Sequence, residues 1–142
     1  MTRAALMKRW TEVGDKLSDL AEAFPDAQYS FRPGAGVRCV AEQLRHVAFW
    51  NEYAGKTLRG EDADGEANEL PAARFRTKAA IVRALRESVA AVARELAATA
   101  APLAGADEDT LIAFVQHGAE HYGQLVVYAR LNGIVPPASR GM

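Results

Sequence analysis

The chain has a single cysteine, Cys39, among 142 residues. An intrachain disulfide is therefore excluded, and the composition fits a reducing compartment. An excess of either charge is also missing: 17 Lys and Arg oppose 18 Asp and Glu, for a formal net charge of −1. A surface built for nucleic acid or anionic lipid needs a clear basic excess, so neither partner is expected. No uncharged apolar run approaches the ~20 residues of a membrane span. Residues 1–24 carry charges every few positions (Arg3, Lys8, Arg9, Glu12, Asp15, Lys16, Asp19, Glu22), which leaves no apolar stretch for a signal peptide. A cytoplasmic protein without membrane attachment is expected. Histidine is scarce too, with only His46, His117 and His121.

What is present reads as helix. The length suits one domain, residues 1–142, able to bury about two thirds of its unfolded surface. Met7, Trp10, Val13, Leu17, Leu20 and Phe24 recur at spacings of three and four, which places them on one helix face until Pro25 and Asp26 stop the segment. A loop punctuated by Pro33, Gly34 and Gly36 follows. A second helix is expected from near Cys39 to about Gly60, with Cys39 at the N-cap and Glu42 as its capping-box partner; cysteine makes this a weak cap. Residues 60–76 read as a connection. Thr77 caps a third helix with Ile81, Leu85, Val89, Val92 and Leu96 on its apolar face, expected to end around Pro102–Gly105. Asp107, Glu108 and Asp109 open a fourth, which runs to Asn132 with Gly133 as its terminating glycine. Four long helices without strand alternation or internal repeats imply an all-α, four-helix bundle. Its two long connections do not force short-loop topology.

The fourth helix is apolar on two sides. At about 100° per residue, Phe114, His117, His121, Gln124 and Tyr128 cluster on one face. Val115, Ala119, Tyr122, Val126 and Ala129 gather on roughly the opposite one. Such a helix is either central in its fold or packed on another subunit, and in a bundle of four this favours a homodimer.

His117 and His121 are four residues apart, so both imidazoles project from one helix face and can share a divalent metal. His46 lies on the stripe of Gln43, Phe49, Trp50 and Tyr53 in the second helix. If helices two and four are neighbours, it supplies a third nitrogen. Three protein ligands leave positions open for water or substrate, as in a catalytic rather than a structural site. The plainer alternative is a set of hydrogen-bonded core histidines. Burying imidazoles without partners is costly, and a metal is one way to satisfy them. His117-Gly-Ala-Glu-His121 also fits H-x-x-E-H, the inverted zinc-peptidase signature. Such enzymes are larger and take a downstream carboxylate ligand, whereas no Asp or Glu follows His121. A peptidase is not expected.

The run VRCVAEQLRHVAFWNEYAG around His46, followed by HGAEHYGQLVVYARLNGIVPPASR, resembles the DinB-like (YfiT-like) superfamily of metal-dependent hydrolases and thiol S-transferases. The resemblance spans the whole helical layout. It implies a four-helix bundle in up-down-down-up order, commonly dimeric, with His46, His117 and His121 at the metal-ligand positions. The Ser or Thr usual before the second helix is Cys39 here, a departure that touches capping rather than ligation. By this resemblance the function is thiol S-transfer or hydrolysis on a small electrophile, with Zn first among the divalent metals and Ni or Fe as alternatives. A low-molecular-weight thiol is the implied cosubstrate. The competing expectation is a non-enzymatic, dimeric stress-response or ligand-binding bundle whose metal site is vestigial or structural.

Around the triad, Glu120 is a candidate hydrogen-bond acceptor or general base, against the plainer reading of a surface carboxylate. Gln124, one turn beyond His121, is a candidate for orienting water or His46, or else pairs with another helix. Trp50 and Tyr53 are expected to form the apolar wall of a pocket. Tyr128 reads as core and Glu42 as a capping partner. Cys39 at a helix N-terminus would have a depressed thiol pKa. Arg130 and Arg140 are candidate carboxylate binders, with surface charge as the simpler role.

Overall fold

Each helix begins where its cap places it. The computed structural model describes residues 1–141. Helix α1 (Arg3–Ala23) starts after Thr2, whose hydroxyl accepts the Ala5 N–H at 3.0 Å. Helix α2 (Val40–Leu58) starts after Cys39, whose N–H donates to Glu42 Oε1 at 2.8 Å. Thr77 accepts from the Ala80 N–H at 3.1 Å ahead of α3 (Lys78–Ala97). Helix α4 (Gly105–Leu131) carries Asp107 and Glu108 in its first turn and is followed by Gly133 at φ +71°, a left-handed conformation that glycine adopts without strain. Short 3-10 turns occupy Asp26–Gln28 and Pro137–Ser139, and no strand occurs among the described residues. No helix among them is long and apolar enough to cross a membrane.

Helix α3 ends earlier than the sequence predicts, at Ala97 rather than around Pro102–Gly105. After Leu96 the chain offers nothing apolar to bury until Leu103, and residues 97–102 are all exposed. Without tertiary packing a terminal turn gains little from continuing.

Cross-helix contacts fix the topology. Arg3 Nη1 donates to Glu95 O at 3.1 Å and Lys78 Nζ to Glu22 O at 2.7 Å, so α1 and α3 are antiparallel. Arg45 reaches Phe75 O and Asn51 Nδ2 reaches Ser88 Oγ, both at 3.2 Å, so α2 and α3 run the same way. Tyr128 bonds to Arg38 O while Phe114 stacks on Trp50, which makes α4 antiparallel to α2. The N-terminal ammonium pairs with Glu108 and Lys16 sits over Tyr122, which makes α4 parallel to α1. The helices therefore run up-down-down-up, in the order α1, α3, α2, α4 around the bundle. Helices α2 and α4 are neighbours although α3 separates them in sequence.

The apolar stripes meet in two clusters. One holds Leu17, Leu20, Phe24, Leu44, Leu85 and Leu125; the other, towards the start of α1, holds Leu6, Trp10, Val92, Leu96 and Leu111. The Trp10 indole N–H is satisfied by Val89 O at 2.9 Å. Both apolar sides of α4 are used within the chain: Phe114 and Tyr128 from one face, and Val115, Tyr122 and Val126 from the other, pack on the two clusters. A helix with neighbours on two sides buries a wider arc than a single stripe, so the two-sided pattern does not by itself require another subunit. What remains outside is Val127 and Leu131, 55% and 62% exposed.

Helix α1 approaches α3 closely at Gly14. A Cβ there would lie 2.5 and 2.7 Å from the two γ-methyls of Val89, which is stiff at χ1 and cannot swing aside. Gly14→Ala is accordingly expected to destabilise the protein by about 1–3 kcal/mol through overpacking, measured as a lower denaturation midpoint in urea at unchanged slope.

Candidate metal centre

The antiparallel pairing of α2 and α4 brings the three histidines to one point. His46 Nε2 lies 3.0 Å from His117 Nε2 and 3.1 Å from His121 Nε2. All three can offer a ligand atom within a 4.8 Å group. What lies behind the rings decides what this means. His46 Nδ1 is 2.8 Å from the carbonyl oxygen of Asn68, which can only accept, so Nδ1 carries the proton and Nε2 presents a lone pair. His121 Nδ1 donates to Gln43 Oε1 at 2.9 Å with the same result. Two lone pairs thus face each other at 3.1 Å, and one proton on His117 cannot satisfy both. A cation can, and the separation is one that two metal–nitrogen bonds of about 2.0 Å span. The donor set therefore fits a divalent metal held by His46, His117 and His121.

Burial depresses the basicity of all three rings. It pushes His46 below its ordinary value, with Arg38 adding to the effect and the Asn68 carbonyl and Glu69 opposing it; it takes His117 down to about 4 and His121 down to about 3, where neighbouring imidazoles and Arg38 add to it. The Gln124 amide acts in the opposite direction on His121. At neutral pH the triad is uncharged and ready to donate nitrogen lone pairs.

The connection after α2 supplies a part of the site that the sequence did not reveal. Asn68 adopts φ +58°, a left-handed conformation that asparagine tolerates better than most residues. This turn aims its backbone oxygen at His46, while its side-chain Oδ1 accepts the Trp50 indole N–H at 2.7 Å. The following residues are clamped to α2. Glu69 pairs with the buried Arg45 at 2.8 Å, and the Leu70 N–H donates to Arg45 O at 3.3 Å. Gly65 passes so close over Trp50 that a Cβ would come within 2.5 Å of its ring. An asparagine ahead of Leu70-Pro71 was the only sequence signal, and it reads equally well as an ordinary turn.

Beyond Gln43, which bonds His121, opens a cleft of about 620 Å³ lined by Pro33, Gly36, Val37, Arg38, Gln43, Gln124 and Tyr128; the three histidines lie behind this wall rather than in it. It is more polar than an aromatic-walled pocket. Trp50 and Tyr53 instead pack with Phe114, whose ring meets His117 edge-on at 6.2 Å, on the far side of that histidine. Gln124 is exposed at the cleft wall. Glu120 is exposed and makes no hydrogen bond or ion pair among the described residues. The Tyr128 hydroxyl donates to Arg38 O at 2.7 Å. Glu42 fills its capping role and also binds Arg32 at 2.6 Å; its bonds to Cys39 and Arg32 hold its carboxyl down at about 2. Burial pushes the Cys39 thiol up rather than down, so the depressed thiol expected at this helix start is corrected: the residue is only 8% exposed and Glu42 is its close neighbour. Arg130 and Arg140 lie on the surface, and Arg140 donates to Val135 O; neither borders the cleft.

A bundle of this order with three convergent imidazoles between its second and fourth helices defines a helical metal-site class. The model of the DinB superfamily matches residues 9–125, a stretch that includes all three histidines, and the chain belongs to that superfamily. No curated protein matches the chain.

Two expectations follow from this geometry. Gln43→Leu leaves His121 without its acceptor, and metal affinity should fall about 10–100-fold in a competition titration with a chromogenic chelator. The second concerns pH. The folded pKa values lie below the unfolded value of about 6.5, so the unfolded chain binds more protons at mildly acidic pH. The stability of metal-free protein is then complete above about pH 6.5. It declines as pH falls towards about 4, the His117 value, and on towards about 3, the His121 value. A thermal melting midpoint that stays flat between pH 7 and 5 would contradict this.

Proposed function

We propose that this DinB-superfamily protein is a metal-dependent enzyme that transfers a thiol to, or hydrolyses, a small electrophilic substrate. Zn is the proposed ion, with Ni or Fe as alternatives, because neutral imidazole nitrogens suit all three. The observation that carries the reading is the pair of opposed lone pairs on His46 and His121, each fixed by a hydrogen bond behind its ring. A bound ion supplies Lewis acidity, which lowers the pKa of a thiol or water in an open position.

The chain's own residues account for the remaining tasks. Asn68 and Gln43 hold His46 and His121 in the tautomer that donates. The cleft admits a small molecule beside the triad, and Gln124 on its wall can donate or accept a hydrogen bond to that molecule. Thiol transfer makes the smaller demand on this site, since a thiolate needs no further base once formed. Hydrolysis gains from a carboxylate near the attacking water. None lines the cleft, and the general-base role would fall to Glu120 on the exposed face of α4. A low-molecular-weight thiol is the proposed cosubstrate. The alternative, a binding bundle with a structural metal, is favoured by no specific contact.

We also propose that two copies associate through the outward side of the end of α4 and the segment after it, where Val127 and Leu131 on the helix and Val135 beyond it are 55%, 62% and 44% exposed. The balanced charge of −1 and the lone cysteine support a cytoplasmic protein that does not act on nucleic acid.

Protein purified without a histidine tag should contain one divalent metal per chain, and His117→Ala should lose it along with any turnover in a panel of electrophiles and small thiols. Absence of stoichiometric metal, together with no fall in melting temperature on chelation, would sink the metal assignment. Light scattering should give twice 15.3 kDa at micromolar concentration; a monomer there refutes the dimer.

A further inference from the structure

Among the described residues, Arg38 is the only charged one lining the cleft beside the triad. Its guanidinium makes no hydrogen bond or ion pair among the described residues, whereas the neighbouring Arg32 is neutralised by Glu42 and Arg45 by Glu69. Its backbone is held in place: the Tyr128 hydroxyl, itself on the cleft wall, donates to Arg38 O at 2.7 Å. Arg38 is close enough for its charge to act on all three imidazoles. An ion held by three neutral nitrogens keeps its full positive charge, and no carboxylate borders the cleft to offset either that charge or the guanidinium. The missing negative charge has to arrive with the ligand.

We infer that Arg38 anchors a carboxylate of the small molecule on which the His46–His117–His121 site acts. This inference rests on the proposed metal-dependent reading and specifies its substrate class: a carboxylate-bearing thiol or a carboxylate-bearing electrophile. A planar guanidinium takes a carboxylate through two parallel hydrogen bonds. Gln124 on the same walls offers its exposed amide to the rest of the molecule, while Gln43 stays committed to His121. The anchored end fixes which atom of the ligand faces the triad, so Arg38 is a specificity-determining residue.

The test compares matched ligands that differ only in charge. Metal content of wild type, Arg38→Gln and Arg38→Lys is measured first. Dissociation constants are then determined by calorimetry for 3-mercaptopropionate against 3-mercapto-1-propanol, and for cinnamate against cinnamamide. At least one carboxylate should bind wild type about tenfold more tightly than its neutral partner, as a charge-assisted pair allows. That ratio should fall to about one in Arg38→Gln and recover in part in Arg38→Lys. A preference confined to the first pair places the carboxylate on the thiol, and one confined to the second places it on the electrophile. No preference in wild type for either pair, or a preference that survives Arg38→Gln, overturns the inference. Wild type that holds no metal refutes the metal-dependent reading instead. The same comparison on metal-free protein then decides Arg38 by the same ratio.

Discussion

Two imidazoles whose outer nitrogens are already committed cannot satisfy each other. His46 gives its Nδ1 proton to the Asn68 carbonyl and His121 gives its own to Gln43, so both inner nitrogens are acceptors only, 3.1 Å apart in a buried site. In water such a clash would be relieved by a tautomer change or a proton. Here the Asn68 carbonyl behind His46 and Gln43 Oε1 behind His121 oppose the first, and burial makes the second expensive. The helix order, the clamped connection after α2 and Gln43 behind His121 hold this unfavourable arrangement in place.

The bundle topology is what makes the arrangement reachable. Running α2 and α3 parallel requires a connection long enough to travel back along the bundle, and that length lets Asn68 lie behind His46. A short hairpin between α2 and α3 would have delivered neither the parallel pairing nor the acceptor. Helices α1 and α3 contribute no donor to the site. They set the spacing: Gly14 lets α1 close on α3, and Gly118 lets α4 settle against Val13, where a Cβ would come within 2.9 Å. The histidine-bearing face of α4 is thereby turned towards α2.

Much of this was legible in the residues. Periodicity located the helices, and Cys39 and Thr77 each stand one residue before the helix they were expected to cap. The inward stripes placed His46, His117 and His121 together once α2 and α4 were neighbours. The end of α3 was not legible, because alanine favours helix and only the lack of a surface to pack on stops it at Ala97. The two apolar sides of α4 are legible as a pattern, but a sequence does not say that α1 lies on one side and α2 on the other. Asn68 escaped for a different reason. It acts through its backbone, and a carbonyl leaves no mark on residue identity. Trp50 and Tyr53 shared the stripe of His46 and so looked like pocket wall, yet the aromatic packing with Phe114 takes them to the other side of His117.

That His46 depends on a main-chain oxygen makes the site robust and vulnerable in different currencies. No side-chain replacement deletes a carbonyl, so drift in sequence can erode this contact only by moving the backbone. The backbone, however, is secured just downstream, at Glu69 and Leu70, while Glu61, Asp62, Asp64 and Glu66 are exposed. A protease cutting within that acidic stretch would leave every helix and every histidine intact. Asn68 would then be held only by its own bond to Trp50 and by Glu69 and Leu70 behind it, so the orientation of His46 rests on three contacts to α2 and on none to the acidic stretch.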